Sequence, residues 1–325
     1  MKYYFQLIRP INLLLTAFAM YAVRFFIIIP ILKNCTTNEG YLAPYLNECW
    51  FVLLVLSVLL INAAGYVIND FCDIDTDAIN KPEKLIISKK ISFKAASIFY
   101  YVLNIAGIFL GMMLAYYVHA LRLSSIHLAA VGLLWLYATQ LKKMPIVGNL
   151  SVALLGAVVI LMPVFFEPIV FYNDTIQFQT STQLIFKISL IFSAFAFLMQ
   201  LIRELIKDLQ DVEGDEQTGC NTLPIWASIK TTKIICASII IVSMIVLSWF
   251  QIHFFYHRNF YKLFNSWNLF NIILIQLPLL FVVIKIWKAN AAKQYAVLSI
   301  VLKLVMLAGI CSMLFIKLWF ENYFN

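Results

Sequence analysis

The chain has 325 residues, 63% of them apolar and only 12% charged, with a formal net charge of +8 at pH 7. Soluble domains carry about 25% charged residues, so this composition excludes a soluble globular protein. It also argues against nucleic acid as the reason for the positive charge, because no basic soluble domain is present and the lysines and arginines are spread between apolar stretches.

In chain order, nine apolar stretches of spanning length can be drawn, at roughly 10–32, 50–69, 95–117, 122–140, 147–166, 184–203, 231–254, 268–289 and 295–319. Each is near the ~20 residues with which a helix crosses a bilayer. The expectation is one all-α transmembrane domain over residues 1–325, a bundle of nine helices. The first stretch contains Arg24, leads into further apolar segments and has no small-residue cleavage site, so it reads as a retained helix. With the N-terminus inside, sixteen of the twenty-four lysines and arginines fall in loops on its side, and Lys33, Arg122, Arg258, Lys262 and Lys317 face the other way. That bias predicts an integral protein of the cytoplasmic (inner) membrane with its N-terminus in the cytoplasm. His119, His127, His253 and His257 fall toward the outward side as ordinary interfacial residues, and Cys35 and Cys49 share one outward loop in which they could pair.

The second stretch runs into Asn62-Ala-Ala-Gly-Tyr66-Val-Ile-Asn69-Asp70-Phe-Cys-Asp73-Ile-Asp75-Thr-Asp77, and the sixth into Arg203-Glu204-Leu-Ile-Lys207-Asp208-Leu-Gln-Asp211-Val-Glu213-Gly214-Asp215. Asp70-Asp73-Asp77 and Asp208-Asp211-Asp215 share the spacing D-x-x-D-x-x-x-D, and eleven of the sixteen acidic residues fall between Asp70 and Glu83 or between Glu204 and Glu216. Carboxylates at i, i+3 and i+7 lie on one helical face, so each segment forms an acidic stripe that repels itself unless cations neutralise it. Asn62, Tyr66 and Asn69 continue the first stripe into the bilayer, where polar groups default to a functional reading. Asp70 and Asp75 read as solvated. Oxygen-only donors in this number suit a hard divalent ion, and Mg²⁺ in particular binds through a few carboxylates plus substrate phosphates. Arg203 and Lys207, with Lys81, Lys84, Lys142 and Lys143, supply direct phosphate partners, although Arg203 and Lys207 could equally serve only to neutralise their acidic neighbours.

These residues carry a resemblance. Asn69-Asp70-x-x-Asp73-x-x-x-Asp77 resembles the first aspartate signature of the UbiA superfamily of intramembrane prenyltransferases, and Asp211-x-x-x-Asp215 resembles its second. Arg9-Pro10-x-Asn12 is similar to the family's opening, and Tyr137 through Lys142 to Pro145, Gly148 and Asn149 to its Y-(x)n-K…P-x-x-G-N stretch. Ile79-Asn80-Lys81-Pro82-Glu83-Lys84 and the run from Arg203 to Thr222-Leu223-Pro224 are most similar to the branch that includes digeranylgeranylglyceryl phosphate synthases. The chain departs from the family where an R-P-x-R-P run becomes Lys81-Pro82-Glu83-Lys84-Leu85, which keeps the charge but loses the bidentate fork of arginine.

The resemblance implies a UbiA-like bundle and a prenyltransferase. Mg²⁺ would bridge Asn69, Asp73, Asp77, Asp208, Asp211 and Asp215 to the diphosphate of an allylic donor, with Asp73, Asp77, Asp211 and Asp215 as the catalytic carboxylates. Lys84, Lys142, Arg203 and Lys207 would hold the diphosphate, and Arg9 and Asn12 the acceptor. A lipophilic acceptor, most closely geranylgeranylglyceryl phosphate, would capture the allylic cation beside membrane lipid. Two other readings stay open from the sequence: an aromatic acceptor such as a quinone, haem or pigment precursor, and a divalent cation carrier. The carrier is disfavoured, because a carrier site is expected near the bilayer midplane and these stripes lie at one face among phosphate-binding bases.

Overall fold

The computed structural model describes residues 2–37, 40–80, 82–171, 176–255 and 261–323. Among them nine helices are long and apolar enough to cross a membrane: α1 (Pro10–Lys33), α2 (Glu48–Cys72), α3 (Phe93–Tyr117), α4 (Leu121–Thr139), α5 (Val147–Phe165), α6 (Thr182–Gln217), α7 (Ile229–His253), α8 (Asn265–Lys288) and α9 (Ala292–Glu321). A two-residue β-pair, Thr36–Thr37 with Gly40–Tyr41, sits in the α1–α2 loop. Exposed Leu14, Val102, Ile105, Phe109, Ile245 and Leu304 form a surface that only hydrocarbon can solvate.

The helix starts follow local chemistry. Pro10 at the first position of α1 lacks the N–H that would have gone unsatisfied there, and Asn47 and Ser92 cap α2 and α3 by accepting from the backbone N–H groups of Trp50 and Ala95. α6 departs most from the expected boundaries. It belongs to a helix running without interruption from Ile176 to Gln217, so the second acidic segment extends the spanning helix, as its one-face spacing predicts. No proline interrupts it, its leucines, lysines and glutamates are good helix formers, and the Glu204–Lys207 ion pair at 2.7 Å lies one turn apart on its surface.

The first acidic segment contains a break, α2 ending at Cys72 and a short helix resuming at Ile74. Register survives because the Asp73 N–H donates to the Asn69 carbonyl at 2.9 Å and the Asp77 N–H to the Asp73 carbonyl at 2.7 Å. α6 is central and packs against α5, α7 and α9, while α2 packs against α3 and α4. Gly107 permits the α2–α3 approach: a Cβ there would lie 2.7 Å from Ile61 Cγ1 and 3.1 Å from the Ser57 carbonyl oxygen.

Away from the acidic end one expectation needs correction, and the pairing left open for two cysteines is decided. His127 is buried rather than interfacial, with its Nε2 3.0 Å from Ser57 Oγ and its ring edge-on to Phe166. Cys35 and Cys49 are separate thiols, Cys35 buried and donating to the Ile31 carbonyl and Cys49 exposed.

Candidate active site

Three segments converge at one end of the bundle: the turn after α2, the α4–α5 loop and the end of α6. Thr76 Oγ1 lies 3.1 Å from Thr218 Oγ1, which ties the first acidic segment to the end of the second. The Asn221 N–H donates to the Lys143 carbonyl at 2.9 Å, which ties the α4–α5 loop to the same place. The two stripes therefore sit on the same end of the molecule, as one shared site requires.

The first stripe is neutralised by cations from elsewhere in the chain. Asp73 accepts from the Asn69 amide at 2.7 Å and forms an ion pair with Lys142, 69 residues away. Asp70 is not simply solvated, because it pairs with Arg9, whose guanidinium also lies 5.0 Å above the Tyr66 ring. These cations oppose a real electrostatic cost, since the last turn of α2 ends in the negative pole of its helix dipole. Asp75 is exposed, as expected, and Asp77 is half-buried in the first turn of the short helix, where the dipole favours a carboxylate.

On α6, Glu204 is 5% exposed and accepts from Gln200 at 2.8 Å, Arg203 at 3.1 Å and Lys207 at 2.7 Å. Arg203 and Lys207 thus neutralise an acidic neighbour and, at the same time, line a cavity. Asp208 accepts from Asn149 of α5 at 2.8 Å, and Asp215 accepts from Thr222 Oγ1 at 3.4 Å. Asp211 is half-buried on the same face. Lys84 ends the 3₁₀ turn Pro82–Lys84, but its side chain and all of Lys81 lie outside the described residues.

Lys142 owes its position to a tight backbone arrangement. A Cβ on Gly148 would lie 2.8 Å from the Leu141 carbonyl oxygen and 2.8 Å from the Lys142 Cα, so only glycine lets the start of α5 press against this loop. The neighbouring Ile146 takes φ 67°, a costly conformation for a β-branched residue. The P-x-x-G-N run is therefore a device that folds the loop back and delivers both Lys142 and Asn149.

Behind the acidic end opens a cavity of about 260 Å³, walled by α1, α2, α4, α5, α6 and α9. Its polar part presents Arg9, Asn12, Asn69, Arg203, Glu204 and Lys207, and its apolar part Val159, Ile160, Phe192, Phe195, Met306 and Ile310. Such a space fits an amphiphile with an anionic head and a hydrocarbon tail. Among the described residues, its aromatic lining is Tyr66, Tyr137, Phe192 and Phe195. Lys303 of α9 also lines it, with Nζ donating to Asn12 Oδ1 at 2.8 Å. Sequence reasoning missed Lys303, although an ionisable residue inside an apolar stretch was signal enough.

Among the described residues, no three His, Cys, Asp or Glu side chains are gathered in a ready-made metal cage. The donors still fit a hard divalent cation. They are oxygen donors on two segments at one end of the bundle, and the lysine and amide groups that hold Asp73 and Asp208 are partners such a cation would replace.

A bundle of apolar helices around an amphiphile-sized cavity, with paired acidic stripes and bases at its polar end, defines an intramembrane enzyme acting on an anionic lipid-like substrate. The chain belongs to the UbiA prenyltransferase family, whose sequence profile matches residues 40–307. It is thus a prenyltransferase and an integral membrane protein, and this family binds diphosphate through a divalent metal. Over 297 residues, 90% of this chain and 92% of the relative, it is 30% identical to the digeranylgeranylglyceryl phosphate synthase of Sulfurisphaera tokodaii. Over 229 residues, 70% and 71%, it is 34% identical to that of Methanosarcina mazei. Among solved structures, one concerned with digeranylgeranylglyceryl phosphate synthase in membranes superposes with a TM-score of 0.58 at 22% identity, covering 96% of this chain and 98% of that one. The apo structure of a UbiA homologue from Aeropyrum pernix gives 0.58 at 14%, covering 91% and 98%. Both share the fold.

Proposed function

We propose that the chain transfers a geranylgeranyl-type group from its allylic diphosphate to the free hydroxyl of geranylgeranylglyceryl phosphate, with release of diphosphate. The observation that carries this reading is the polar end of the cavity, where basic side chains outnumber what one diphosphate requires. The similarity to named synthases over most of the chain supports the same acceptor.

In the proposed reaction the bond between the allylic carbon and the diphosphate oxygen breaks, both electrons leaving with diphosphate. The acceptor hydroxyl oxygen then bonds to that carbon and loses its proton. Asn69, Asp73, Asp77, Asp208, Asp211 and Asp215 would hold Mg²⁺, which when bound would supply charge neutralisation for the leaving diphosphate. Lys142 stands beside Asp73 and is well placed to donate to a diphosphate oxygen, with Arg203 and Lys207 on the α6 side. Lys84 is assigned the same role from sequence. Arg9 and Asn12 orient the acceptor head, and the apolar part of the cavity holds the prenyl chain and keeps water from the allylic cation. The lysine and arginine bias supports an orientation in which this end faces the cytoplasm at the inner membrane.

The test is to incubate purified protein and Mg²⁺ with prenyl diphosphates of several lengths and with geranylgeranylglyceryl phosphate, 4-hydroxybenzoate or dihydroxynaphthoate, and to identify products by mass. The expected outcome is the highest kcat/KM with the glyceryl phosphate acceptor. A higher value with an aromatic acceptor overturns the acceptor assignment and leaves the prenyltransferase intact.

A further inference from the structure

Lys303 stands eleven residues into α9, about 16 Å along the helix from its first residue at 1.5 Å per residue. A lysine at such a position is costly in a bilayer unless it finds water or a partner. Its side chain reaches neither lipid nor a carboxylate. It turns into the cavity and bonds to Asn12 near the start of α1.

The other three cations that line the cavity are already paired: Arg9 with Asp70, and Arg203 and Lys207 both with Glu204. Among the described residues, Lys303 is the one lining cation with no carboxylate within ion-pair distance, and the repelling charges of Arg203 and Arg9 act on it against the more distant carboxylate of Glu204. One amide oxygen satisfies one of its three N–H donors and none of its charge. Neither α9 nor α1 carries an acidic stripe, so this cation is supplied by a different helix from those that bear the metal-binding carboxylates.

We propose that Lys303, steadied by Asn12, is a specificity-determining residue that binds the phosphate monoester of the acceptor as a second anion subsite, separate from the diphosphate subsite. This rests on the acceptor reading above. A phosphate oxygen supplies the charge that the amide oxygen of Asn12 cannot, and the subsite makes the enzyme select a phosphorylated acceptor over the corresponding neutral alcohol.

The experiment compares wild type, Lys303→Met and Lys303→Arg in lipid nanodiscs with geranylgeranyl diphosphate, using geranylgeranylglyceryl phosphate and its dephosphorylated alcohol as acceptors. Loss of one charge-assisted hydrogen bond predicts that Lys303→Met raises KM for the phosphorylated acceptor about tenfold or more, with donor KM changed by less than about twofold. The preference for phosphate over alcohol should fall by the same factor, while Lys303→Arg keeps most of it. Retained turnover of the alcohol by Lys303→Met shows that this variant is folded. Equal losses on both acceptors, or a rise in donor KM alone, overturn the subsite. If Lys303→Met is inactive on both acceptors, Lys303→Arg decides, and a lost phosphate preference there also overturns it. Failure of wild type to use the phosphorylated acceptor overturns the acceptor reading and the subsite together, whereas wild-type turnover with an unaltered preference in the variants overturns the subsite alone.

Discussion

The two ends of this bundle bury charge in opposite ways. At the far end Arg24, 3% exposed, donates to Glu48 Oε1 at 2.9 Å and to the Leu46 carbonyl at 2.7 Å, and its guanidinium lies 4.4 Å above the Phe51 ring. Glu167, 1% exposed, accepts from the Tyr45 N–H at 2.6 Å. These bonds fasten the α1–α2 loop to the bundle, and none of these groups lines the large cavity. At the other end Arg9, Arg203, Glu204, Lys207 and Lys303 line that cavity, and the acidic stripes lie beside its polar end. A buried ionisable residue in a membrane protein is a candidate for function, and here the clustered charges at and beside the cavity's polar end differ from the fasteners, which stand apart from it.

That contrast can be broken experimentally, most severely at the stripes. Asp73→Ala or Asp211→Ala is expected to lower prenyl transfer by about a thousandfold, the scale of losing a charge-stabilising group in a reaction centre, while the melting temperature in detergent changes little. Chelation of divalent ions should do the same, and Mg²⁺ should restore activity. Wild-type rates in either variant, or full turnover in excess chelator, would refute the assignment.

Lys142→Ala should cost about a hundredfold in kcat, with partial recovery in Lys142→Arg, because the charge but not the reach is preserved. A milder change tests how the lysine is delivered. Gly148→Ala must push the α4–α5 loop off α5, and an activity loss of about tenfold is expected from a displaced Lys142. Steady-state kinetics check both, and an unaltered kcat in Gly148→Ala would show that the loop yields without moving the lysine.

At the fastening end the same severity of substitution should leave chemistry alone. Arg24→Met is expected to lower stability by about 2 kcal/mol, the scale of charge-assisted buried hydrogen bonds, with unchanged kcat/KM for the folded fraction. Burial pushes the Glu167 carboxyl up from 4.5 to about 7, against the opposing effects of the Tyr45 N–H and Arg24. Since the folded value is the higher one, this group's contribution is fully present below pH 4.5 and is lost as pH rises through about 7. Thermal melts of wild type should therefore fall over that window relative to Glu167→Gln, which keeps an acceptor oxygen and cannot ionise. Parallel pH profiles for the two proteins would remove the proposed role of Glu167.

The sequence by itself determined the nine spans, their approximate ends and the two acidic stripes. Hydropathy over about 20 residues and an i, i+3, i+7 spacing are local properties, and the bilayer forces every such segment to satisfy its own backbone as a helix. Local pattern even carried the first stripe across the break at Asp73, because helical register survives it. The second stripe likewise continues its helix to Gln217, past the end of the apolar window, since polar residues end a hydrophobic window without ending a helix. Only the tertiary structure decided which bases meet which acids. Asp73 with Lys142, Asp70 with Arg9, and Asp208 with Asn149 are pairs 69, 61 and 59 residues apart, and Asn12 meets Lys303 across 291. Such pairings depend on which helices pack side by side and on how a glycine-dependent loop folds back, and neither is written in the spacing of one segment.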